Sequence, residues 1–269
     1  MKYKLICSDF DDTLIGKGGK YSPELKDDIQ EYVNRGGKFC IVTGRMTIGI
    51  VPTAKALGLH GEVISYQGAV VSDIDTDEIY FSDSIPCEEC VKIGEYLESK
   101  GYYYQAYSVD KILTENPNEF TRIYSQISNA EYSKTDVKLS EYLKLRNMSS
   151  PKLLVMDVVE RIPIIKEELN ALFGKDYLIN TSKPFIIEII PKGISKGKAV
   201  LELAKKYGIK KEEIIGIGDS ENDLTMLDSC GLSFCVANGS EIAKQHADMI
   251  APSADENGVG YVIRNYGLK

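Results

Sequence analysis

Short apolar runs alternate with helical patterns along the first third of the chain. The runs predict strands from residue 5, over 38–42 and over 63–66. Apolar residues at helical spacing predict one helix that begins at Ser22 and ends before Gly36, and another over 51–57. The order strand, helix, strand, helix, strand predicts a parallel sheet with helices on its faces.

The pattern changes after about residue 84 and returns to helix and strand alternation after residue 191. Between these points it predicts helices over 90–100, 120–127 and 162–173, and strands over 102–107, 111–115, 151–158, 177–181 and 185–190. The polar stretch near Ser133 is predicted to be irregular. Strand pairs separated by helices indicate an α+β module. The sequence therefore predicts an α/β fold, with a Rossmann-like parallel-sheet core domain over 1–83 and 191–269 and an inserted α+β domain over 84–190.

Carboxylates follow the first predicted strand, in the sequence Asp9-Phe10-Asp11-Asp12-Thr13. Because side chains alternate faces along a strand, Asp9 and Asp11 are predicted to point the same way. Two carboxylates held this close repel each other and resist ionisation unless a cation lies between them. The segment therefore favours a hard cation with oxygen ligands, and Mg²⁺ in particular. Taken alone, an ordinary acidic turn remains the alternative.

A second acidic cluster, Asp219-Ser220-Glu221-Asn222-Asp223, follows the predicted strand at 213–218. If both strands are parallel members of one sheet, the two clusters lie at the same edge, where sites form in open parallel sheets. Asp219 would then complete the metal site begun by Asp9 and Asp11. A calcium loop is the alternative, although the twelve-residue ligand spacing with a terminal Glu is missing.

Two further segments supply groups that suit an anion. Thr43 offers a hydroxyl at the end of the 38–42 strand, and Gly44 offers a backbone amide. Lys196 begins a predicted helix, so its ammonium would meet an anion beside the positive helix end. Taken alone, Thr43 is also explained as a turn residue, and Lys196 as a solvated lysine. Together with a metal they form a cradle for a phosphoryl group.

Composition and charge exclude several classes of partner. The net charge of −8 argues against nucleic acid, because binding to a phosphate backbone needs clustered Lys and Arg. No apolar run reaches the length of a membrane span, and the one at the start is too short for a signal peptide, so a cytoplasmic location is expected. Cys87 and Cys90 form a CxxC pair without a second pair to complete a zinc site. No obligate protein partner is inferred.

These motifs, in this order, resemble those of the haloacid dehalogenase superfamily, and most closely its Cof-type phosphatases with a large type IIB α/β cap. The family pattern DxDxT corresponds to residues 9–13. The Ser/Thr, Lys and GDxxND motifs correspond to 43–45, 196 and 218–223, with further likeness at 236–239 and 255–259. Two positions depart from the pattern: Asp12 replaces the usual Gly, and Gln67 precedes Gly68 where Asn is common.

The resemblance implies an enzyme that hydrolyses a small phosphorylated metabolite, either a sugar phosphate or a phosphorylated cofactor, with Mg²⁺. Asp9 would be the nucleophile that forms an aspartyl-phosphate, and Asp11 the general acid and base. Asp223 would orient Lys196 or a metal-bound water. The implied Mg²⁺ ligands are Asp9, Asp11 and Asp219, and the implied phosphate-binding residues are Phe10, Thr43, Gly44, Lys196 and Asn222.

Two alternatives belong to other functional classes. A phosphotransferase or phosphomutase of the same superfamily would pass the phosphoryl group to an acceptor other than water. A non-enzymatic phospho-receiver or metabolite-binding protein would also combine paired Asp, Thr and Lys with Mg²⁺. A receiver is a compact domain without an insertion between its Thr and Lys, and the predicted insertion argues against it.

Overall fold

The computed structural model describes residues 1–108, 111–128 and 130–269, and it divides into two compact units. The second unit begins two residues before and ends four residues after the predicted insertion, and it also takes in a short segment that the sequence pattern does not indicate. The first unit contains Met1–Arg45, Ile50–Phe81 and Ser195–Lys269, and the second contains Met46–Gly49 and Ser82–Ile194.

The strands and helices of the described residues are numbered in chain order. The strands are β1 Leu5–Asp9, β2 Lys38–Val42, β3 Glu62–Ser65, β4 Val70–Asp73, β5 Ile79–Ser82, β6 Tyr104–Tyr107, β7 Ile112–Thr114, β8 Tyr132–Lys134, β9 Leu153–Met156, β10 Tyr177–Lys183, β11 Ile186–Pro191, β12 Ile214–Gly218, β13 Leu232–Val236 and β14 Met249–Ala251. The helices are α1 Leu25–Asn34, α2 Thr47–Ala56, α3 Cys87–Ser99, α4 Glu119–Ser128, α5 Leu139–Leu145, α6 Ile162–Phe173, α7 Lys196–Lys206, α8 Leu224–Asp228, α9 Glu241–His246 and α10 Gly258–Val262.

The first unit is built on an eight-stranded sheet in the order β14-β13-β12-β1-β2-β3-β4-β5. The strands from β14 to β3 pair in parallel, while β4 runs antiparallel to β3. The α/β fold with a parallel-sheet core is therefore confirmed. The sequence pattern did not indicate β4, β5, β13 or β14.

Both faces of this sheet are covered, which explains why its central strands are continuous apolar runs. In β1, Ile6 belongs to an apolar cluster on one face, whereas Leu5 and Cys7 belong to a cluster on the other. Helix α1 contributes to the first cluster and α7 to the second. The alternation fixes the register of β1 and thereby the position of Asp9 at its carboxyl end.

The strands β12, β1 and β2 are neighbours and end at the same edge of the sheet. Asp9 pairs with Val42, the residue before Thr43. Ser8 pairs with Ile217, one residue before the end of β12. Asp9, Thr43 and Asp219 therefore come from three adjacent strand ends, where open parallel sheets place their sites.

The second unit contains a six-stranded sheet in the order β10-β11-β9-β6-β7-β8, antiparallel except for the β7–β8 pair. One face packs against α3, α5 and α6 through a continuous apolar cluster. The opposite face carries buried polar groups, including Lys152, whose ammonium donates to Tyr124 Oη at 3.0 Å and to Glu188 Oε1 at 3.1 Å. A mostly antiparallel sheet with helices packed on one face makes this unit α+β.

Several sequence predictions differ from the structure. The helix predicted over 51–57 is α2, which begins four residues earlier, and the strand predicted over 151–158 is the shorter β9. The stretch near Ser133, predicted to be irregular, forms β8, because its backbone pairs with β7 although its side chains lack an apolar alternation. Helix α1 begins at Leu25 rather than Ser22, since the Ser22 hydroxyl donates to the Glu24 carboxylate and does not cap the helix. Among the described helices, none has both the length and the apolar character required to cross a membrane.

The packing of α7 against α8 depends on a glycine and generates a stability prediction. A Cβ on Gly197 would lie 2.1 Å from the Thr225 carbonyl oxygen, so the methyl group of Gly197→Ala has no room. We expect this variant to lose about 1–3 kcal/mol of unfolding free energy, although Gly→Ala normally stabilises a helix. Urea titration measures the loss, and Leu201→Ala, at a half-exposed position of the same helix, is the control. If Gly197→Ala unfolds at the same urea concentration as the wild type, the packing of α7 on the Thr225 carbonyl does not depend on this glycine.

Candidate active site

A buried lysine joins two carboxylates at the centre of the site. The Lys196 ammonium lies 2.5 Å from Asp9 Oδ1 and 2.6 Å from Asp223 Oδ1. The three residues are at most 5% exposed. Lys196 is the first residue of α7, and the Ser195 hydroxyl caps that helix by accepting from the Lys198 amide. Segments distant in sequence thus meet around one ammonium group.

Asp223 is fixed by the turn that follows β12. Its Oδ2 accepts from the backbone amides of Asp219 at 2.9 Å and Ser220 at 3.1 Å, while its Oδ1 faces Lys196. The turn is tight: a Cβ on Gly218 would lie 2.6 Å from the Asp223 side chain. Both carboxylate oxygens of Asp223 are therefore engaged within the protein, which suits a residue that holds Lys196 in place.

Asp219 lies at the end of β12 with its carboxylate directed at the β1 loop. The Thr13 hydroxyl donates to Asp219 Oδ1 at 3.1 Å. One oxygen each of Asp9, Asp219 and Asp223 lie within 4.8 Å of one another. The structure therefore brings Asp9, Asp219 and Lys196 together, as the sequence motifs indicate.

The Asp11 carboxylate is placed differently from its prediction as a metal ligand beside Asp9. Strand β1 ends at Asp9, so strand alternation does not extend to Asp11. Its two oxygens instead accept from Arg45, at 2.5 Å from Nη2 and 2.8 Å from Nε. Asp223, predicted as a supporting residue, takes the third place in the carboxylate cluster.

The predicted phosphate-binding residues of β1 and β2 contribute mainly backbone groups. Phe10 is buried in the core with its ring 5.0 Å from the Arg45 guanidinium, so only its backbone could contact a ligand. The Thr43 hydroxyl accepts from the Arg45 amide at 3.1 Å. Gly44 is partly exposed beside the Gln67 side chain. Asn222 is exposed next to Asp223.

Burial and unbalanced charge shift the acidity of these groups. Burial raises the pKa of Asp9 to about 8, opposed by the Lys196 charge and reinforced by Asp223. Burial and the Asp223 charge likewise raise the pKa of Asp219 to about 6. Burial would lower the pKa of Lys196, but the charges of Asp9 and Asp223 outweigh it and raise that pKa. The lysine therefore stays charged among carboxylates that resist ionisation.

The donor set fits Mg²⁺, which the family implies. The cluster offers carboxylate oxygens only, the ligand type that this ion prefers. Within the described residues, Oδ2 of Asp9 and Oδ2 of Asp219 accept no hydrogen bond, so both are available to a cation. Three carboxylates against one lysine also leave an excess of negative charge that a divalent ion would balance.

Two contacts that hold the β1 loop were not predicted from the sequence: one joins Asn238 to Asp12, and the other joins Arg45 to Asp11. Asn238 Nδ2 donates to the Asp12 carbonyl at 2.7 Å, and its Oδ1 accepts from the Ala254 amide at 2.8 Å. Asp12 has a left-handed backbone with φ 57°. The Asn within 236–239 is the only sequence signal for the first contact. The Arg45 pairing with Asp11 had no signal beyond the Thr-Gly-Arg triplet.

Comparison with known proteins decides the family. The profile of the haloacid dehalogenase-like hydrolases matches residues 6–263. The chain belongs to this family. It is 29% identical, over 97% of its length and 96% of the relative's, to 5-amino-6-(5-phospho-D-ribitylamino)uracil phosphatase YwtE of Bacillus subtilis. Its family membership makes it a hydrolase, and YwtE is named as a phosphatase.

Solved structures agree with this assignment. The crystal structure of TM0651 from Thermotoga maritima has a TM-score of 0.89 and 31% identity, with 97% of each chain covered. The HAD subclass IIB sugar phosphatase BT4131 has the same fold, with a TM-score of 0.75 at 22% identity, over 99% of this chain and 100% of that one. The resemblance to the haloacid dehalogenase superfamily is therefore confirmed, and the chain shares its fold with a subclass IIB enzyme.

The carboxylate cluster predicts how Mg²⁺ should change thermal stability with pH. Since the pKa values of Asp219 and Asp9 are raised to about 6 and about 8, both groups hold protons at pH 5, and their contribution to stability is lost as pH rises through these values. A cation competes with those protons, so Mg²⁺ should raise the melting temperature more at pH 8 than at pH 5. A Mg²⁺ concentration one hundred times its dissociation constant should add about 2.7 kcal/mol to the free energy of unfolding.

Two variants test where the ion binds. Asp219→Asn should abolish the Mg²⁺ shift, because it removes a ligand oxygen with its charge. Asp75→Asn removes an exposed carboxylate of the same unit, paired with His60 at 3.1 Å, and should keep the full shift. Differential scanning fluorimetry measures both. An unchanged Mg²⁺ shift in Asp219→Asn would place the ion elsewhere.

Proposed function

We propose that the protein is a Mg²⁺-dependent phosphatase that hydrolyses a small phosphorylated metabolite through an aspartyl-phosphate on Asp9. The observation that carries the proposal is the state of the Asp9 carboxylate. One oxygen is bound to Lys196 at 2.5 Å, while the other accepts no hydrogen bond in the described part of the chain. One carboxylate is thus both anchored and available for attack on phosphorus.

Lys196 supports the reaction by keeping its charge throughout. Before attack it pairs with Asp9, and it also pairs with Asp223, which does not take part in bond formation. When the Asp9 oxygen bonds to phosphorus and that carboxylate loses its charge, Asp223 still stabilises the ammonium. The lysine can then interact with the negative charge on the phosphoryl oxygens. Bound Mg²⁺ would supply further positive charge to the phosphoryl group.

Asp11 is proposed as the general acid and base. Its side chain is 47% exposed, unlike that of Asp9, and two hydrogen bonds from Arg45 orient it. A proton on Asp11 would pass to the leaving oxygen as the ester bond breaks. The resulting carboxylate would then accept a proton from the water that attacks the aspartyl-phosphate and releases inorganic phosphate.

The remaining predicted contacts would bind the transferring phosphoryl group. Thr43 and Gly44 follow β2, next to the end of β1, and Asn222 follows β12 on the other side. A hydroxyl, a backbone amide and a carboxamide would donate hydrogen bonds to phosphoryl oxygens from both sides of Asp9. Such donors stabilise charge that develops in the transition state.

The names of similar proteins support a small phosphorylated metabolite as substrate. YwtE is named for a ribitylaminouracil phosphate, and BT4131 for sugar phosphates. Both substrate types carry a phosphate on a polyol or sugar chain. A phosphotransferase of the same fold would instead need an acceptor other than water, and transfer without release of inorganic phosphate would favour it.

The nucleophile assignment predicts the behaviour of Asp9→Asn. This variant should lose release of inorganic phosphate by at least ~10³-fold, because an amide oxygen cannot form the aspartyl-phosphate. Phosphate release is measured with Mg²⁺ on p-nitrophenyl phosphate and on a panel of sugar, polyol and cofactor phosphates. Asp75→Asn is the matched control on the surface of the same unit. Activity that persists in Asp9→Asn would refute the assignment.

The role of Asp11 predicts a dependence on the leaving group. Asp11→Asn should lower kcat/KM by about 10²–10⁴-fold for a sugar phosphate, whose alkoxide must be protonated. The loss with p-nitrophenyl phosphate should be much smaller, because nitrophenolate leaves without a proton. Asp75→Asn, which removes an exposed carboxylate of the same unit, is the control. This control should leave both values unchanged, and equal losses for the two substrates in Asp11→Asn would exclude the acid role.

A further inference from the structure

The turn between β3 and β4 has an unusual backbone for its residue types. Tyr66, Gln67 and Gly68 have φ values of 52°, 59° and 98°. Glycine adopts this left-handed region freely, but consecutive Tyr and Gln do so rarely. Strained residues persist where their surroundings fix them, and they occur most often at functional sites. The contacts of this turn therefore indicate what it does.

The backbone of the turn is bonded to two segments of the site. The Gln67 amide donates to the Thr43 carbonyl at 2.9 Å, and the Tyr66 amide donates to the Arg45 carbonyl at 3.0 Å. On the other side, a Cβ on Gly68 would lie 2.3 Å from the Ser195 carbonyl oxygen. The turn is therefore held between the loop after β2 and the residue that precedes Lys196.

The Gln67 side chain continues this connection to a third segment. Its Oε1 accepts from Asn222 Nδ2 at 3.4 Å, and its Nε2 lies beside Gly44, where a Cβ would be 2.3 Å away. The other end of the Asn222 carboxamide is held as well, since Asn222 Oδ1 accepts from the Ser220 hydroxyl at 2.7 Å. Gln67 and Ser220 together fix the orientation of an otherwise exposed amide.

We infer that Gln67 is a positioning residue for the phosphoryl group: it orients the Asn222 carboxamide and supports the Gly44 amide on opposite sides of Asp9. The inference rests on the proposed function, which gives Asn222 and Gly44 their phosphoryl contacts.

The test uses Gln67→Met, which keeps the length of the side chain and its packing on Gly44 but removes both polar atoms. Asn222→Ala and the double variant complete a mutant cycle. The readouts are kcat/KM for p-nitrophenyl phosphate and the inhibition constant of inorganic phosphate, which reports phosphate binding without chemistry. We expect Gln67→Met to weaken phosphate binding and lower kcat/KM by about five- to tenfold, as for loss of one hydrogen bond. The double variant should lose no more than Asn222→Ala alone.

The chain offers a matched control for the loss of a carboxamide. Gln30 Nε2 donates to the Leu57 and Gly58 carbonyls at 3.1 and 2.8 Å, and it lies beside Gly58 as Gln67 lies beside Gly44. Gln30→Met should lower the melting temperature and leave both kinetic readouts unchanged. A role of Gln67 in stability alone would give the same result in Gln67→Met and would overturn the inference.

Two other results would also overturn it. One is additive losses in the double variant, which would show that Gln67 does not act through Asn222. The other is an Asn222→Ala variant with wild-type constants. Asp9→Asn distinguishes failure of the proposed function from failure of this inference. Turnover that persists in Asp9→Asn refutes the nucleophile. If Asp9→Asn is inactive but Gln67→Met has wild-type constants, only the role of Gln67 is refuted.

Discussion

The site depends on a lysine ammonium buried between two carboxylates. An unpaired charge in this position would be strongly destabilising, whereas the pairs with Asp9 and Asp223 make burial of Lys196 possible. The two partners lie 187 and 27 residues from Lys196 along the chain. The interaction can therefore form only when β1, α7 and the turn after β12 are all in place.

Glycine positions explain how these segments come close enough. Gly197 lets α7 approach the Thr225 carbonyl, and Gly218 lets the chain pass against the Asp223 side chain. Gly68 allows the β3–β4 turn to lie on the Ser195 carbonyl. In each case a Cβ would lie within 2.6 Å of another atom. The backbone approaches thus set the place of Lys196, and the ion pairs then fix its ammonium.

Much of the fold and the central charges could be predicted from local sequence. The runs in β1, β2 and β12 are apolar because both faces of the sheet are covered, and each is followed by the polar residues of a motif. Strand β8 was missed because an exposed edge strand has no apolar face to mark it. The partner of Asp11 was missed because the strand ends before it. The contacts of Gln67 were missed because its left-handed backbone is set by tertiary bonds, which no local pattern records.

The two carboxylates of the first motif differ in environment, and that difference would allow them the different roles proposed for them. Asp9 ends a buried strand, where it meets an ammonium and other carboxylates. Asp11 lies beyond the strand, half-exposed and paired with the guanidinium of Arg45. Enzymes obtain separate nucleophile and acid–base functions from neighbouring carboxylates by placing them in unlike surroundings. A site in which both residues followed the strand alternation would give them the same surroundings. The end of β1 at Asp9 is therefore a structural requirement of the chemistry proposed here, because it separates the residue that would bond to phosphorus from the residue that would move the proton.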